Sequence, residues 1–367
     1  MARRVPLARR NLMSEPRRLI ASGVGVGLAI MLILLMGGLW AGIVTRITVY
    51  EDNSGADLYV AAPGTRNFIS TNSVLPASTV GEVRAYPGVI WAAPIRGLFS
   101  ITQIHDIKVP TYLIGWIPGR QGGPWDMAAG RAPRGDDEIA VGQALASRHG
   151  VDVGERLDIL GRTFTVTGVA AGADMFMASF VFMSHAATDQ ILGAPDTTSF
   201  VLIHTEQPEA VRARLTAAGH TVLDSSELKA NDLSVMTHAL ALPMQVMVAV
   251  GFGVGVLVIA LTTYSAVIDH RRDYGIVKAL GASRMRLYGL ALEQSLIVAV
   301  VGLVAGAVFF LISRQIIESV RPQFAIVATP AVAGRAVAAA AVMGTAAAAV
   351  PARRLARLDP ASAYRGG

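Results

Sequence analysis

Asp273-Tyr274-Gly275-Ile276-Val277-Lys278-Ala279-Leu280-Gly281-Ala282-Ser283 is a short, charged, glycine-punctuated stretch set between two long apolar runs. On a helix, Tyr274, Val277 and Gly281 fall at i, i+3 and i+7 and share one face, with Lys278 beside them. Gly275 and Gly281 carry no side chain and permit close approach of another backbone. With its flanks the stretch fills residues 269–286, too few to build a domain. What remains for it is to hand position from whatever sits against it to the apolar runs on either side.

Those runs define the class. The chain has 367 residues, is 53% hydrophobic and has a mean hydropathy of +0.49, more apolar than a soluble domain. About 20 apolar residues at 1.5 Å each cross a bilayer core of roughly 30 Å. Four stretches qualify: 19–44, 244–268, 287–311 and the Ala-rich 331–350. The expected organisation places a short outer loop at 312–330 and a large segment, 45–243, between the first two spans.

Charge orients these spans. Net charge is +5 over residues 1–18, +3 over 269–289, +3 over 351–367 and −6 over 45–243. Arginine-rich flanks stay in the cytoplasm. Both termini and residues 269–286 are therefore expected inside, and 45–243 outside, in a multi-pass protein of a bacterial cytoplasmic membrane. The overall +6 comes from membrane-flanking arginines and does not call for nucleic acid. Residues 1–18, between Pro6 and Pro16, read as an amphipathic helix on the inner lipid surface. The first apolar run is too long for a cleaved signal. There is no Cys, so neither disulfides nor thiol chemistry arise.

The spans hold little charge. Arg335 lies near the outer end of the fourth and can snorkel to the interface. Glu293 lies about six residues into the third and has two readings: a buried carboxyl neutralised by a proton or a nearby Arg, or a link between this span and the helix at 273–283. One Glu is not the chain of ionisable groups a proton-coupled carrier needs. Gly23/Gly27, Gly251/Gly255 and Gly302/Gly306 are small-xxx-small pairs that allow close helix contact. They fit either packing within the chain or a seam between two copies.

Residues 45–243 read as a folded α+β domain. Strands are expected at 57–61, 89–104, 109–116, 138–141, 180–183 and 200–204, and a hairpin over 156–160 and 163–170 turning at Gly161-Arg162. Ser184 reads as the N-cap of a helix over 186–192. The Gly/Pro-rich 118–133 reads as a loop dividing two lobes, and 231–241 as a helical stalk into the second span.

No catalytic constellation appears. The seven histidines are scattered, with no HExxH, and no Ser sits in a GxSxG elbow. Asp136-Asp137-Glu138 is a charge run that reads as solvated surface. A P-loop needs Gly-Lys-Ser/Thr so that the Lys reaches the phosphates. Here Lys108 precedes Val109, Lys229 precedes Ala230 and Lys278 precedes Ala279. Any ATP and Mg this protein depends on belongs to another polypeptide, and no cofactor or metal is expected on this chain.

Residues 273–283 resemble the coupling-helix signature of the FtsX/MacB-like ABC transporter permeases. Pro351-Ala352-Arg353-Arg354-Leu355-Ala356-Arg357-Leu358-Asp359-Pro360 resembles that family's C-terminal pattern, and Leu7-Ala8-Arg9-Arg10-Asn11-Leu12 its N-terminal one. Gly55-Ala56-Asp57-Leu58, Gly130-Arg131, Gly154-Glu155-Arg156-Leu157 and Phe164-Thr165-Val166-Thr167-Gly168-Val169 fit its extracytoplasmic module. The chain lacks a fused ATPase and so is more similar to the separate-permease branch of DevC and LolC type.

The resemblance implies a fold and a mechanism. The fold is four transmembrane helices with a MacB-like periplasmic α+β domain between the first two. The mechanism is mechanotransmission. Two copies pair with two separate ATPase subunits, which push on a coupling helix through Asp273, Tyr274, Gly275, Val277, Lys278 and Gly281. The outer domains then move a substrate for export or extraction, with a membrane-fusion or substrate-delivery protein as a further partner. Three other readings stay open: an FtsX-like regulator of a cell-wall hydrolase, a small-nutrient (amino-acid) importer permease, and a sensor complex.

Overall fold

The computed structural model describes residues 16–69, 73–279, 282–320 and 324–357. The amphipathic helix expected before Pro16 lies outside them, as does Gly281. Helix α1 (Pro16–Ile47) is followed by the short α2 (Val49–Asn53). Then come β1 (Leu58–Ala61), β2 (Leu75–Pro76), α3 (Ser78–Arg84), the long strands β3 (Trp91–Ile104) and β4 (Ile107–Trp116), β5 (Met127–Gly130) and β6 (Glu138–Gly142). Next are α4 (Gln143–His149), β7 (Arg156–Ile159), β8 (Arg162–Ala170), β9 (Asp174–Met175), β10 (Ala178–Ser184) and α5 (His185–Leu192). β11 (Thr197–Thr198), β12 (Phe200–His204), α6 (Pro208–Ala217) and β13 (Thr221–Asp224) complete the inserted domain. The chain ends in helices α7 (Ser225–Asp269), α8 (Arg271–Ala279), α9 (Arg284–Val320), α10 (Pro330–Ala347) and α11 (Ala349–Arg357).

Two compact units result. One takes in the described parts of 1–41, 241–320 and 326–367; the other is 42–240 with the described part of 321–325. Among the described residues four helices are long and apolar enough to cross a membrane. Val26 and Ile30 of α1, Ile259 of α7, Val298 and Phe310 of α9 and Ala340 and Met343 of α10 form its core.

Helix lengths depart from expectation. The stalk expected at 231–241 and the span expected from 244 are one helix of 45 residues with Pro243 inside it. A proline there removes a single N–H, a loss that neighbouring groups absorb in a span. α9 runs nine residues past Leu311, so helix takes up the first part of the loop read at 312–330, and α10 starts at Pro330. The i,i+4 pair Arg314–Glu318, 3.0 Å apart, supports that extra length. Thr329 caps α10 by accepting from the Val332 N–H at 3.2 Å, with Pro330 at the first helical position.

The inserted domain is one mixed 11-stranded sheet, running β13-β1-β12-β3-β4-β10-β6-β8-β5, with β7 on β8 and β9 on β10. β4–β10 and β6–β8 are parallel; the other pairs in this sheet are antiparallel. Two apolar cores lie along it. Leu58, Val60, Val83, Val201, Val211 and Leu215 pack β1 and β12 against α3 and α6. Leu113, Ile139, Leu145, Phe164, Val181 and Ala187 pack β4, β6, β8 and β10 against α4 and α5.

The 118–133 stretch does not divide these cores. It contains β5, which pairs with β8, and the strands before and after it both feed the second core. The first core is instead closed by the C-terminal return of the chain. The β7–β8 turn uses Leu160 and Gly161, at φ +54° and +83°, one residue earlier than expected. Two consecutive left-handed residues are what a tight two-residue hairpin requires. β1 pairs with β13, Leu58 opposite Asp224, so entry to and exit from the domain are hydrogen-bonded neighbours.

The remaining face of the sheet carries rings. Tyr50 stacks on Phe68 at 4.8 Å, Phe68 on Tyr112 at 5.3 Å, and Phe180 meets Tyr112 and Trp125 at 5.8 and 6.2 Å. Tyr50 OH donates to Gly122 O and Tyr112 OH to Phe68 O, both at 2.8 Å. Buried rings with satisfied hydroxyls make a rigid layer.

Candidate functional site

α8 spans nine residues, RRDYGIVKA. It continues from α7 almost without a break: the His270 N–H donates to Ala266 O and the Tyr274 N–H to His270 O, both at 3.2 Å. An acid in the first turn, Asp273, suits the positive end of the helix dipole. Tyr274 is 1% exposed and packs with Val267, Leu287, Ala291 and Ala352, against which Val277 also lies. Gly275 is buried and Lys278 half-buried.

The face expected to meet a partner, Tyr274 with Val277, is therefore the inward face. The apolar positions of a short amphipathic helix go to the nearest core. The outward face is Arg271, Arg272, Asp273, Ile276 and Ala279. Of the six expected contact residues, Asp273 alone is on it; Gly281 is outside the described residues.

Gln294 meets Tyr274 from α9. Its Nε2 donates to Tyr274 OH at 2.6 Å, and the Gln294 side chain is fully buried. Glu293 is exposed rather than packed inside the chain, and a bond from α9 to α8 is made by its neighbour Gln294. At the same end, Arg18 of α1 donates to Asp269 at 2.6 Å and to Thr262 O at 2.9 Å, while Ser22 and Thr262 hydroxyls lie 2.7 Å apart. These polar bonds clasp α1 to the end of α7 from which α8 starts.

The glycine pairs pack within the chain. A Cβ on Gly302 would lie 2.3 Å from Val26 Cγ1, and one on Gly27 2.9 Å from Ala305 Cβ. On Gly23 it would sit 2.7 Å from Val301 Cγ1, and on Gly306 2.8 Å from Gly27 O. α1 and α9 thus cross backbone to backbone through four glycines. Gly251 faces Leu32 of α1, and Gly255 faces Met343 of α10. The seam between copies expected at these faces is filled by the chain's own helices.

The inserted domain holds a second polar constellation. Glu51 of α2 is 3% exposed, and neither carboxyl oxygen finds a donor among the described residues. Asp232 of α7, 0% exposed, accepts from the Phe68 N–H at 3.0 and 3.1 Å and from the Ile69 N–H at 3.3 Å. Burial pushes the Glu51 carboxyl well above the usual range, and the neighbouring charge of Asp232 adds to this. Burial raises the Asp232 carboxyl as well. No group of three or more potential metal ligands occurs among the described residues. The acidic run is absorbed locally: Asp136 accepts from Ser184, and Arg131 holds the Glu138 carboxyl down at about 2.

Two family models match this chain: the MacB-like periplasmic core domain over residues 19–218 and the FtsX-like permease C-terminal over 246–360. The chain belongs to the FtsX/MacB-like family of ABC transporter permeases. An uncharacterized ABC transporter permease of Mycobacterium tuberculosis is 26% identical over 364 residues, 98% of this chain and 99% of the relative. One of Mycobacterium bovis is 25% identical over 367 residues, with the same coverage. Among solved structures, the periplasmic region of MacB from Actinobacillus actinomycetemcomitans aligns with TM-score 0.37 and 11% identity, covering 48% of this chain and 92% of its own. The extracellular domain of the transporter YknZ from Gram-positive bacteria aligns with TM-score 0.36 and 15% identity, covering 46% and 98%. In this permease the first match ends just after α6 and the second begins inside α7.

Proposed function

We propose that this permease transmits ATP-driven motion from a separate ATPase subunit to its inserted domain, for export or extraction of a substrate on the far side of the membrane. The observation that carries this is the two-sidedness of α8. One face is locked into the helical unit through Tyr274 and Val277, and the other offers Arg271, Arg272, Asp273, Ile276 and Ala279 for docking. The arginine-rich flanks favour a cytoplasmic α8. The absence of any Gly-Lys-Ser/Thr in the chain assigns hydrolysis to the partner. A 2:2 complex with that ATPase, two permease copies side by side, follows from the family's manner of working. The spans carry too few polar groups to line a solute path, which favours mechanical work over a channel.

The test is docking. Ile276→Glu and Ala279→Trp alter only the exposed face of α8. Both are expected to insert in the membrane at normal levels but to lose the ATPase subunit that co-purifies with the tagged wild-type chain. Full recovery of that subunit with both variants would mean that α8 is not its dock.

A further inference from the structure

A push on α8 has two ways into the spans, and they differ in kind. Toward α7 the route is backbone: two consecutive helical hydrogen bonds bridge His270, so α7 and α8 move as neighbours on one chain. Toward α9 the chain between Ala279 and Arg284 is not helical in its described part, 282–283. Motion of α8 can also reach α9 through side chains, and a polar link among the described residues is the Tyr274 OH–Gln294 Nε2 bond of 2.6 Å.

That bond is built where it resists slipping. Tyr274 sits among Val267, Leu287, Ala291 and Ala352, and both partners are buried. Water does not compete in such a site, so breaking the bond leaves the buried Gln294 amide without its hydrogen-bond partner. Gln294 Oε1 already has no partner among the described residues, so the amide has no second bond in reserve. An apolar pair would fill the same space and let the helices slide. Gln294 also lies ten residues beyond Arg284, about 15 Å along α9 at the helical rise. Displacement delivered there acts on the body of the span rather than its frayed end.

We infer that Tyr274 and Gln294 are positioning residues for coupling, the pin through which displacement of α8 enters α9. This rests on the coupling reading above. The experiment uses the full complex, the tagged chain with its co-purifying ATPase subunit, on the naturally Cys-free background. Spin labels at Ser147→Cys and Ser283→Cys report the distance between the inserted domain and the α8 end, with and without ATP-vanadate trapping. Tyr274→Phe and Gln294→Leu are each expected to keep the ATPase subunit and its ATP turnover, while the nucleotide-driven distance shift falls at least about threefold. The double variant is expected to lose no more than either single, the signature of one shared interaction. It restores apolar packing, so recovery of thermal stability without recovery of the shift separates pinning from simple structural support. A full shift in Tyr274→Phe overturns the pin. No shift in the wild type overturns the coupling reading itself, and the pin with it.

Discussion

Glu51 joins the protonation state of one carboxyl to the packing of the inserted domain. Its folded pKa is raised, so its stabilising contribution is complete below the unfolded value of about 4.3 and is lost as pH rises through the folded one. At neutral pH the domain already bears part of that cost. Glu51→Gln keeps the shape and removes the titration. It is expected to raise the melting temperature at about pH 7.5, with a gain that shrinks toward about pH 5. A gain of about 1–3 kcal/mol matches relief of one ill-satisfied buried group. A pH-independent difference between variant and wild type, measured by thermal unfolding, would contradict a raised Glu51 carboxyl. Ser184 offers a second measurement at this scale. Its Oγ accepts the Ala187 N–H at 3.0 Å and donates to Asp136. Ser184→Ala is expected to cost about 1 kcal/mol, the usual loss of an N-cap, read as a lowered denaturation midpoint.

At the scale of elements, the glycine crossings separate close packing from lipid exposure. Gly302→Leu would drive side-chain atoms into Val26, and Gly27→Leu into Ala305 and Gly306, so both are expected to force α1 and α9 apart and reduce the detergent-stable fraction several-fold. Gly253 has nothing within 4 Å of an added Cβ, and Gly253→Leu is expected to be tolerated. Fluorescence size-exclusion of the three variants decides the point; equal profiles would argue against the crossing. The spans themselves were readable because length and apolarity suffice to identify them, and Ser184 because capping is local. The inward face of α8 was not, because in nine residues Tyr274/Val277 and Ile276/Ala279 are equally good stripes, and only the cavity beside Leu287 and Ala291 chooses between them. Gln294 was missed beside the more conspicuous Glu293. An uncharged amide inside an apolar run is the quieter signal, yet it costs enough in lipid to demand a partner. Glu51 and Asp232 lie too far apart in sequence for any local pattern to pair them, and the parallel joins β4–β10 and β6–β8 are long-range for the same reason.

For the whole molecule, the strongest constraint is that two of the four points where the units divide lie inside helices, at 41/42 in α1 and 240/241 in α7. α7 is a single helical run of 45 residues that crosses the 240/241 division. Its first turns are tied into the inserted domain by Asp232 to the 68–69 backbone, Asn231 to Arg66 O and Lys229 to Asp52. Its last turn leads into α8 through His270. A helix that leads from the inserted domain to α8 suits transmission only if its ends lie on opposite sides of the membrane. That requirement is testable without knowing the substrate. Cysteines introduced singly at Ser147 in the inserted domain and at Ser283 beside α8 are both exposed in the chain. In intact cells a membrane-impermeant maleimide is expected to label Ser147→Cys at once, and Ser283→Cys only after permeabilisation. Equal labelling of the two before permeabilisation would place both ends of α7 on one side. A helix that does not cross cannot carry an ATP-driven push from one compartment to the other.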